Sequence, residues 1–415
     1  MGPIGSNALT TPTEIRTALL LGHEIALLDV RHEAAFATGH PLFAANLAFD
    51  RIELEATIRL PRKDVPIVLY DGGEGYVPAA AKALIALGYT NVETLEGGLA
   101  NWRAAGLEVF EDVNSYSKAF GELVEARRHT PWLAAEDVAA LIEEKADIAI
   151  LDARRFEEYA TMNIPGSTSV PGAELVLRVA EAVPDPDTTI IVNCAGRTRS
   201  IIGTQSLINA GIPNRVVALR NGTIGWTLAG QSLAHGSARA APEVRQSDET
   251  TATARAVAYR AGVKRLTPAE LAVLERDTSR TLYRFDVRRP DEYAAGHIAG
   301  FRSYPGGQLV QETDIAAPVR GARIALADDI GPRADMTASW LAQLGWNVFV
   351  LDGGFDGALE TGSGPTVPPG DPAHRYKRPY EGTDNAATAM QAYLDWEYGL
   401  VDQLARDGTH GFYVI

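Results

Sequence analysis

Apolar positions in this chain gather into short continuous runs, such as IALLDV and NVFVLD, instead of alternating with polar ones. Unbroken runs of that length predict strands buried on both faces of a parallel sheet. Between them lie amphipathic stretches ending in glycine, the pattern of covering helices. The fold class this predicts is α/β, a mostly parallel sheet with helices on both faces.

The runs recur. ALLDVR, AILDAR and YRFDVR place Asp29, Asp152 and Asp286 at strand ends. VPIVLYDGGEGYVPAAAKALIALGY, TTIIVNCAGRTRSIIGTQSLINAGI and ARIALADDIGPRADMTASWLAQLGW each read as strand, loop and helix, closing on Gly88, Gly211 and Gly345. Seventeen positions before each glycine stand Asp71, Cys194 and Asp328, and 42 before those stand the three strand-end aspartates. Two intervals held in three copies mark an internal repeat. LEGGLANW, LRNGTIGW and LDGGFDG follow the helices, and TTPTEI, TPWLAAEDV and LTPAEL open the units. In each opening, threonine is the expected N-cap and proline the first helical residue.

Three tandem domains follow, at 8–112, 130–233 and 259–365. Residues 113–129 read as a connecting helix, and 234–258, rich in Ala, Ser, Thr and charge, as a solvated linker. Residues 366–415 form a tail whose helical stretch carries Met390, Tyr393, Leu394, Trp396, Leu400 and Leu404, apolar enough to dock on a domain.

Charge and composition narrow the function. With 38 Lys and Arg against 53 Asp and Glu, the net charge is −15, which argues against nucleic acid or an anionic membrane as the main partner. No apolar run reaches the ~20 residues of a membrane span. MGPIGSNALTTPTEI lacks a basic segment followed by an apolar core, so no signal peptide is expected, and MGPIGS is left out of the fold reading. A single cysteine permits no internal disulfide and no multi-cysteine zinc site, and the eight histidines show no H-x-x-H or H-E-x-x-H spacing. Neither a metal nor a cofactor is expected, and a reducing cytoplasm suits the thiol.

That cysteine lies in IVNCAGRTRS, between a strand and a helix. Ligands of parallel sheets gather at such strand ends, and a helix N-terminus favours an anion there. Arg197 and Arg199 add positive charge, Gly196 gives the loop backbone freedom, and such a setting favours a thiolate. The formal charge of Cys194–Arg199 is +2, whereas the matching loops from Asp71 and Asp328 carry −2 and −1. Only the middle loop offers a sulfur nucleophile beside a home for an anion.

The motifs together resemble rhodanese homology domains. They are Asp-x-Arg after the first strand, Glu292-Tyr293…Gly296-His297-Ile298…Gly300, its counterpart EYATMNIPG, CAGRTRS, and NGTIGW. The likeness covers about residues 8–365 and leaves out the tail. It implies sulfurtransfer: Cys194 takes a sulfane sulfur from thiosulfate or a similar anion, holds it as a persulfide, and yields it to cyanide or a thiol. Ala195, Gly196, Arg197, Thr198, Arg199 and Ser200 form the expected substrate cradle, with Arg197 and Arg199 orienting the donor. Asp152 and Arg154 are expected to brace the loop. Asp71 and Asp328 mark inactive sites, and the first copy's TGHPLFAANL departs furthest from the pattern. With no second cysteine, the acceptor must come from outside, as a small molecule or a protein thiol.

Three other readings compete. A persulfide carrier or scaffold is consistent with two cysteine-free domains. A 3-mercaptopyruvate donor would suit loops of the form C-G-S-G-[VT] better than this arginine-bearing one. Phosphatases and arsenate reductases of the same fold need an arginine at position 200, which here is Ser200.

Overall fold

The computed structural model describes residues 8–243 and 247–415. The segment through residue 7, read above for a leader, and residues 244–246 of the expected linker lie outside the described residues.

Each repeat builds a sheet with helices on both faces. In the middle unit the order is Trp132–Leu133, Val216–Leu219, Thr189–Asn193, Ile148–Asp152 and Thr168–Ser169, all parallel. The third unit repeats it with Lys264–Leu266, Asn347–Leu351, Arg323–Ala327, Leu282–Asp286 and Arg302–Ser303. The first unit uses Leu9–Thr10, Val92–Leu95, Ile67–Tyr70, Ile25–Asp29 and Ala45–Asn46. It also borrows a strand from the third unit, since Val319 and Arg320 pair antiparallel with Ala26 and Ile25. Strands Ile25–Asp29, Ile67–Tyr70 and Arg323–Ala327 are buried along their whole length, which is why their sequences run continuously apolar.

Thr11 and Thr267 cap their helices through capping boxes with Glu14 and Glu270, each with proline at the first helical position. The middle unit departs from this expectation. Thr130 donates instead to Gln205 Oε1 at 2.9 Å, Pro131 precedes the short strand, and the helix Ala135–Glu143 starts later from Ala134 without a side-chain cap.

The units pack into one body. Arg59 Nε donates to Ile315 O at 2.8 Å, Tyr283 Oη to Arg59 O at 2.9 Å, and Trp340 Nε1 to Ser206 Oγ at 2.8 Å. The segment 113–129 contains the helix Ser115–Arg128, largely buried, against which Thr198–Asn209 packs. A Cβ on Gly121 would stand 2.8 Å from Thr198 Cγ2, so these two helices touch almost backbone to backbone.

The expected solvated linker is corrected in its second half. Asp248–Arg260 is a helix, capped by Ser247, that buries Ala254, Val257 and Ala258 and packs on Pro332–Gln343. Its alanine-rich composition resembles a linker because small side chains permit a close helix crossing. The tail folds as two helices, Ala386–Tyr398 and Leu400–Asp407, with Leu394, Leu400 and Leu404 buried. It runs as a strap: Arg51 Nη2 donates to Pro368 O, Tyr376 N to Glu33 Oε2 at 2.7 Å, and Tyr413 Oη to Ala261 O at 2.6 Å. No helix among the described residues is long and apolar enough to cross a membrane.

Candidate functional site

Cys194 follows the strand Thr189–Asn193, and the helix Thr198–Asn209 opens just beyond it. Its thiol is 2% exposed and stands 3.5 Å from Ser200 Oγ. The loop is pinned from behind: Thr223 N donates to Cys194 O at 2.9 Å and Ile224 N to Ala195 O at 3.0 Å. Gly222 makes this approach feasible. It sits at φ +55°, and a Cβ there would stand 2.3 Å from Cys194 O, which accounts for the glycine in NGTIGW.

Asp152 and Arg154 form a buried fork. Arg154 Nε and Nη2 donate to the two carboxylate oxygens at 2.9 and 2.7 Å, and Nη2 also reaches Met162 O at 2.6 Å. The same fork joins Arg31 to Asp29 and Gly39 O, and Arg288 to Asp286 and Gly296 O. The fork is thus present beside all three loops, including the two without a cysteine.

The three loops share a cradle but differ in what fills it. In the first unit Asp71 accepts from the N–H of Gly73, Tyr76 and Val77 at 3.0, 2.7 and 3.3 Å. In the third, Asp328 accepts from Ile330, Arg333 and Ala334 at 3.4, 2.9 and 3.2 Å. Both aspartates thus occupy the N–H groups two, five and six residues onward. In the middle unit those are Gly196, Arg199 and Ser200, and among the described residues no protein acceptor takes these three N–H groups. Three inward N–H groups at a helix start can stabilise an anionic sulfur beyond Sγ.

The positive field expected from Arg197 and Arg199 is compensated inside the protein. Arg197 is 3% exposed; it clasps Glu122 with Nε and Nη2 at 2.7 and 2.8 Å, meets Glu125, and donates to Tyr398 Oη at 3.0 Å. Arg199 donates to both oxygens of Glu158 at 2.7 and 3.0 Å. Burial works against the charge of both arginines, but the facing glutamates outweigh it and hold each above its usual range. Burial likewise works to raise Glu158, yet Arg199, Arg155 and Arg154 hold it down at about 2. Burial pushes Glu122 up despite Arg197.

Arg199 and Glu158 stand 41 positions apart, as do Arg333 and Glu292, which pair at 2.7 Å in the cysteine-free third unit. A pair kept without a cysteine serves loop structure. Both arginines line the cysteine's surroundings as expected of donor-orienting residues, but each guanidinium is already paired with a carboxylate.

A cavity of about 380 Å³ opens on Cys194, and all three units and the tail line it. Glu33 and Asp112 come from the first unit, Ser117 and Lys118 from the connecting helix, Gln311 and Glu312 from the third unit. The tail adds Tyr376, Arg378, Tyr380, Tyr393 and Glu397. Glu397 is 2% exposed, and burial raises its carboxyl to about 8.

Sequence reasoning missed the glutamates and the tail residues. The 41-residue interval from the Glu-Tyr motif to an arginine, present in two units, was a readable signal for Glu158. Nothing in the repeat pointed to the tail.

His32, Asp50 and His374 form a cluster with a metal-ligand composition elsewhere on the surface. One candidate ligand atom from each residue lies within 4.8 Å of the others, and the two imidazoles stack at 3.7 Å between centroids.

Comparison with known proteins places this architecture. The rhodanese-like domain matches at residues 11–105, 134–229 and 267–361. The chain belongs to the rhodanese-like domain family. It is similar to a crystal structure of thiosulfate sulfurtransferase from Pseudomonas aeruginosa, at 49% identity and TM-score 0.93, covering 98% of this chain and 100% of that one. "Putative thiosulfate sulfurtransferase SseB" of Mycobacterium tuberculosis is 27% identical over 210 residues, 40% of this chain and 72% of that protein. The HTH-type transcriptional regulator Rv0324 of the same species is 32% identical over 94 residues, 23% of this rhodanese-family chain. The match spans only 41% of that regulator's length.

Proposed function

We propose that this rhodanese-type transferase moves a sulfane sulfur from thiosulfate, or a similar small anion, to a thiol or cyanide through a persulfide on Cys194. The observation that carries the reading is the cradle: the N–H groups that bind a carboxylate in both outer units have, in the middle unit, no protein acceptor among the described residues. The 49% identical thiosulfate sulfurtransferase supports the choice of donor.

In the first half-reaction the Cys194 thiolate attacks the outer sulfur of thiosulfate. The S–S bond breaks, sulfite leaves with its electron pair, and the persulfide's terminal sulfur settles against the N–H groups of Gly196, Arg199 and Ser200. In the second, a thiolate or cyanide takes that sulfur and the Cys194 thiolate is released. The chain has no other cysteine, so the acceptor is external. A thiol 2% exposed, at the end of a cavity of about 380 Å³, suits a small acceptor better than a protein thiol, and this weighs against a dedicated carrier.

Intact mass after thiosulfate treatment tests the reading. A gain of about 32 Da, lost on adding cyanide and absent in Cys194→Ala, is the expected result. Unchanged mass, or loading of Cys194→Ala, would overturn it.

A further inference from the structure

Five basic side chains reach the cysteine cavity: Lys118, Arg155, Arg197, Arg199 and Arg378. Four are matched by carboxylates. Lys118 pairs with Asp112 at 3.0 Å, Arg155 and Arg199 with Glu158 at 3.3 and 2.7 Å, and Arg197 with Glu122 and Glu125. Arg378, on the tail, has no carboxylate partner among the described residues; its Nη1 donates to the neutral phenol of Tyr380 at 3.1 Å. Most of its five-donor fork remains available.

The cavity's remaining carboxylates do not compete for it. Glu33 accepts from Tyr376 N at 2.7 Å, and Glu312 from Tyr304 Oη and Gln308 Nε2 at 3.1 and 2.9 Å. Arg378 lines the cavity together with Arg199, whose own charge Glu158 already matches. A second polar group lies at this wall, and only as the neutral acid can its carboxyl donate to an anion. Glu397 Oε2 is buried without a hydrogen-bond partner and lies 3.3 Å from where a Cβ on Gly196 would stand, against the cysteine loop itself. A buried polar atom without a partner at a cavity wall is placed to meet a ligand.

We infer that the tail is the anion-recognition wall of this site, with Arg378 holding the negative head of a small sulfur substrate, a sulfonate or a carboxylate, so that its sulfur faces Cys194. The inference rests on Cys194 as the sulfur-accepting group. It assigns to the tail a cation that, unlike the loop arginines, has no carboxylate partner among the described residues.

The single cysteine allows a direct test with the full chain. Iodoacetate and iodoacetamide have nearly the same shape and differ by one negative charge. Arg378→Ala should slow alkylation of Cys194 by iodoacetate about tenfold and leave iodoacetamide within about twofold, and Arg378→Lys should recover most of the loss. The KM for thiosulfate and for 3-mercaptopyruvate should rise in Arg378→Ala; a rise confined to one of them identifies the head as sulfonate or carboxylate. An unchanged ratio of the two alkylation rates, or an equal change in both, would overturn the assignment. The two readings fail separately. A wild-type protein that takes no sulfur from either donor, yet shows the iodoacetate effect, keeps the anion subsite and loses the transfer reading. A protein that loads with sulfur but shows no iodoacetate effect does the reverse.

Discussion

Asp328 Oδ2 accepts the backbone N–H of Arg333 at 2.9 Å, so the third unit closes its own cradle with its own carboxylate. Asp71 does the same to Tyr76 at 2.7 Å in the first unit. A side-chain carboxyl held this way fills the place that the terminal sulfur of the proposed persulfide would take in the middle unit. The outer loops are therefore complete without a ligand, and the contrast between the units lies in the occupancy of one set of N–H groups more than in net charge.

Restoring the cysteine should not restore transfer. In a Cys194→Ala background, Asp71→Cys leaves Glu74 Oε2 on Gly72 N at 2.6 Å, a carboxylate over the opened cradle. Asp328→Cys leaves Arg333 tied to Glu174, Glu292 and Asp329. Both double variants are expected to show less than about 1% of wild-type thiosulfate turnover, a deficit of roughly 3 kcal/mol or more in transition-state stabilisation. Robust turnover by either variant would show that carboxylate occupancy does not silence the outer loops.

Arg197 is expected to act on stability before it acts on affinity. Removing it as Arg197→Ala leaves Glu122 buried without its bidentate partner, which typically costs about 3–5 kcal/mol. Arg197→Met combined with Glu122→Met should cost much less, because the two buried charges are removed together and Glu125, the remaining partner, is partly open to solvent. Urea unfolding of the two variants checks this. A single variant no less stable than the double one would mean that the pair does not secure the loop.

The sequence made the repeats legible because two fixed intervals survive wherever a strand end must meet a helix start. It also located Cys194, since a lone cysteine at that junction stands apart from two aspartates. It left out the compensating charge. Arg197 and Arg199 are adjacent to Cys194 in the chain, but their partners Glu122, Glu125 and Glu158 come from other elements, and only folding brings them within 3 Å or so. The helix Asp248–Arg260 was obscured for a different reason, as its small residues suit close packing as well as they suit solvent. Arg378 and Glu397 lie outside the repeat, so no comparison among the copies could reach them.

Glu158 is expected to mask a charge that a substitution can uncover. At about 2 its carboxyl stays ionised across the working range and cancels Arg199. Glu158→Gln keeps a hydrogen-bond acceptor and removes the negative charge, so the ratio of iodoacetate to iodoacetamide alkylation at Cys194 should rise about threefold or more. The pair also sets an acid limit. A depressed folded-state pKa contributes stability above about pH 4.5 that is lost as the pH falls toward 2, and the variant should lack that slope. A ratio no higher than in the unaltered protein would mean that Arg199 contributes no field at the thiol even when freed.

Glu397 sets the opposite slope on the alkaline side. Burial raises its carboxyl from 4.5 to about 8, opposed by Lys118 and Arg197 and reinforced by Glu122 and Asp112, with Tyr393 Oη on its other oxygen at 3.3 Å. The folded state then binds the proton more tightly than the unfolded one. The group costs nothing at or below pH 4.5, removes stability as the pH climbs toward 8, and has its full effect, on the order of 5 kcal/mol, above that. Asp314, whose carboxyl desolvation pushes up to about 7, adds a slope of the same sign, but it is unchanged in a Glu397→Gln variant. The difference between the two unfolding curves therefore isolates Glu397: they should coincide near pH 4.5 and separate in the variant's favour by pH 8.5. Above pH 8 the ionised carboxylate also faces the cavity, so the KM for thiosulfate should rise in the wild type and stay flatter in the variant. Curves that run parallel from pH 5 to 8.5 would mean that this carboxyl titrates in the ordinary range and that its proton plays no part at the site.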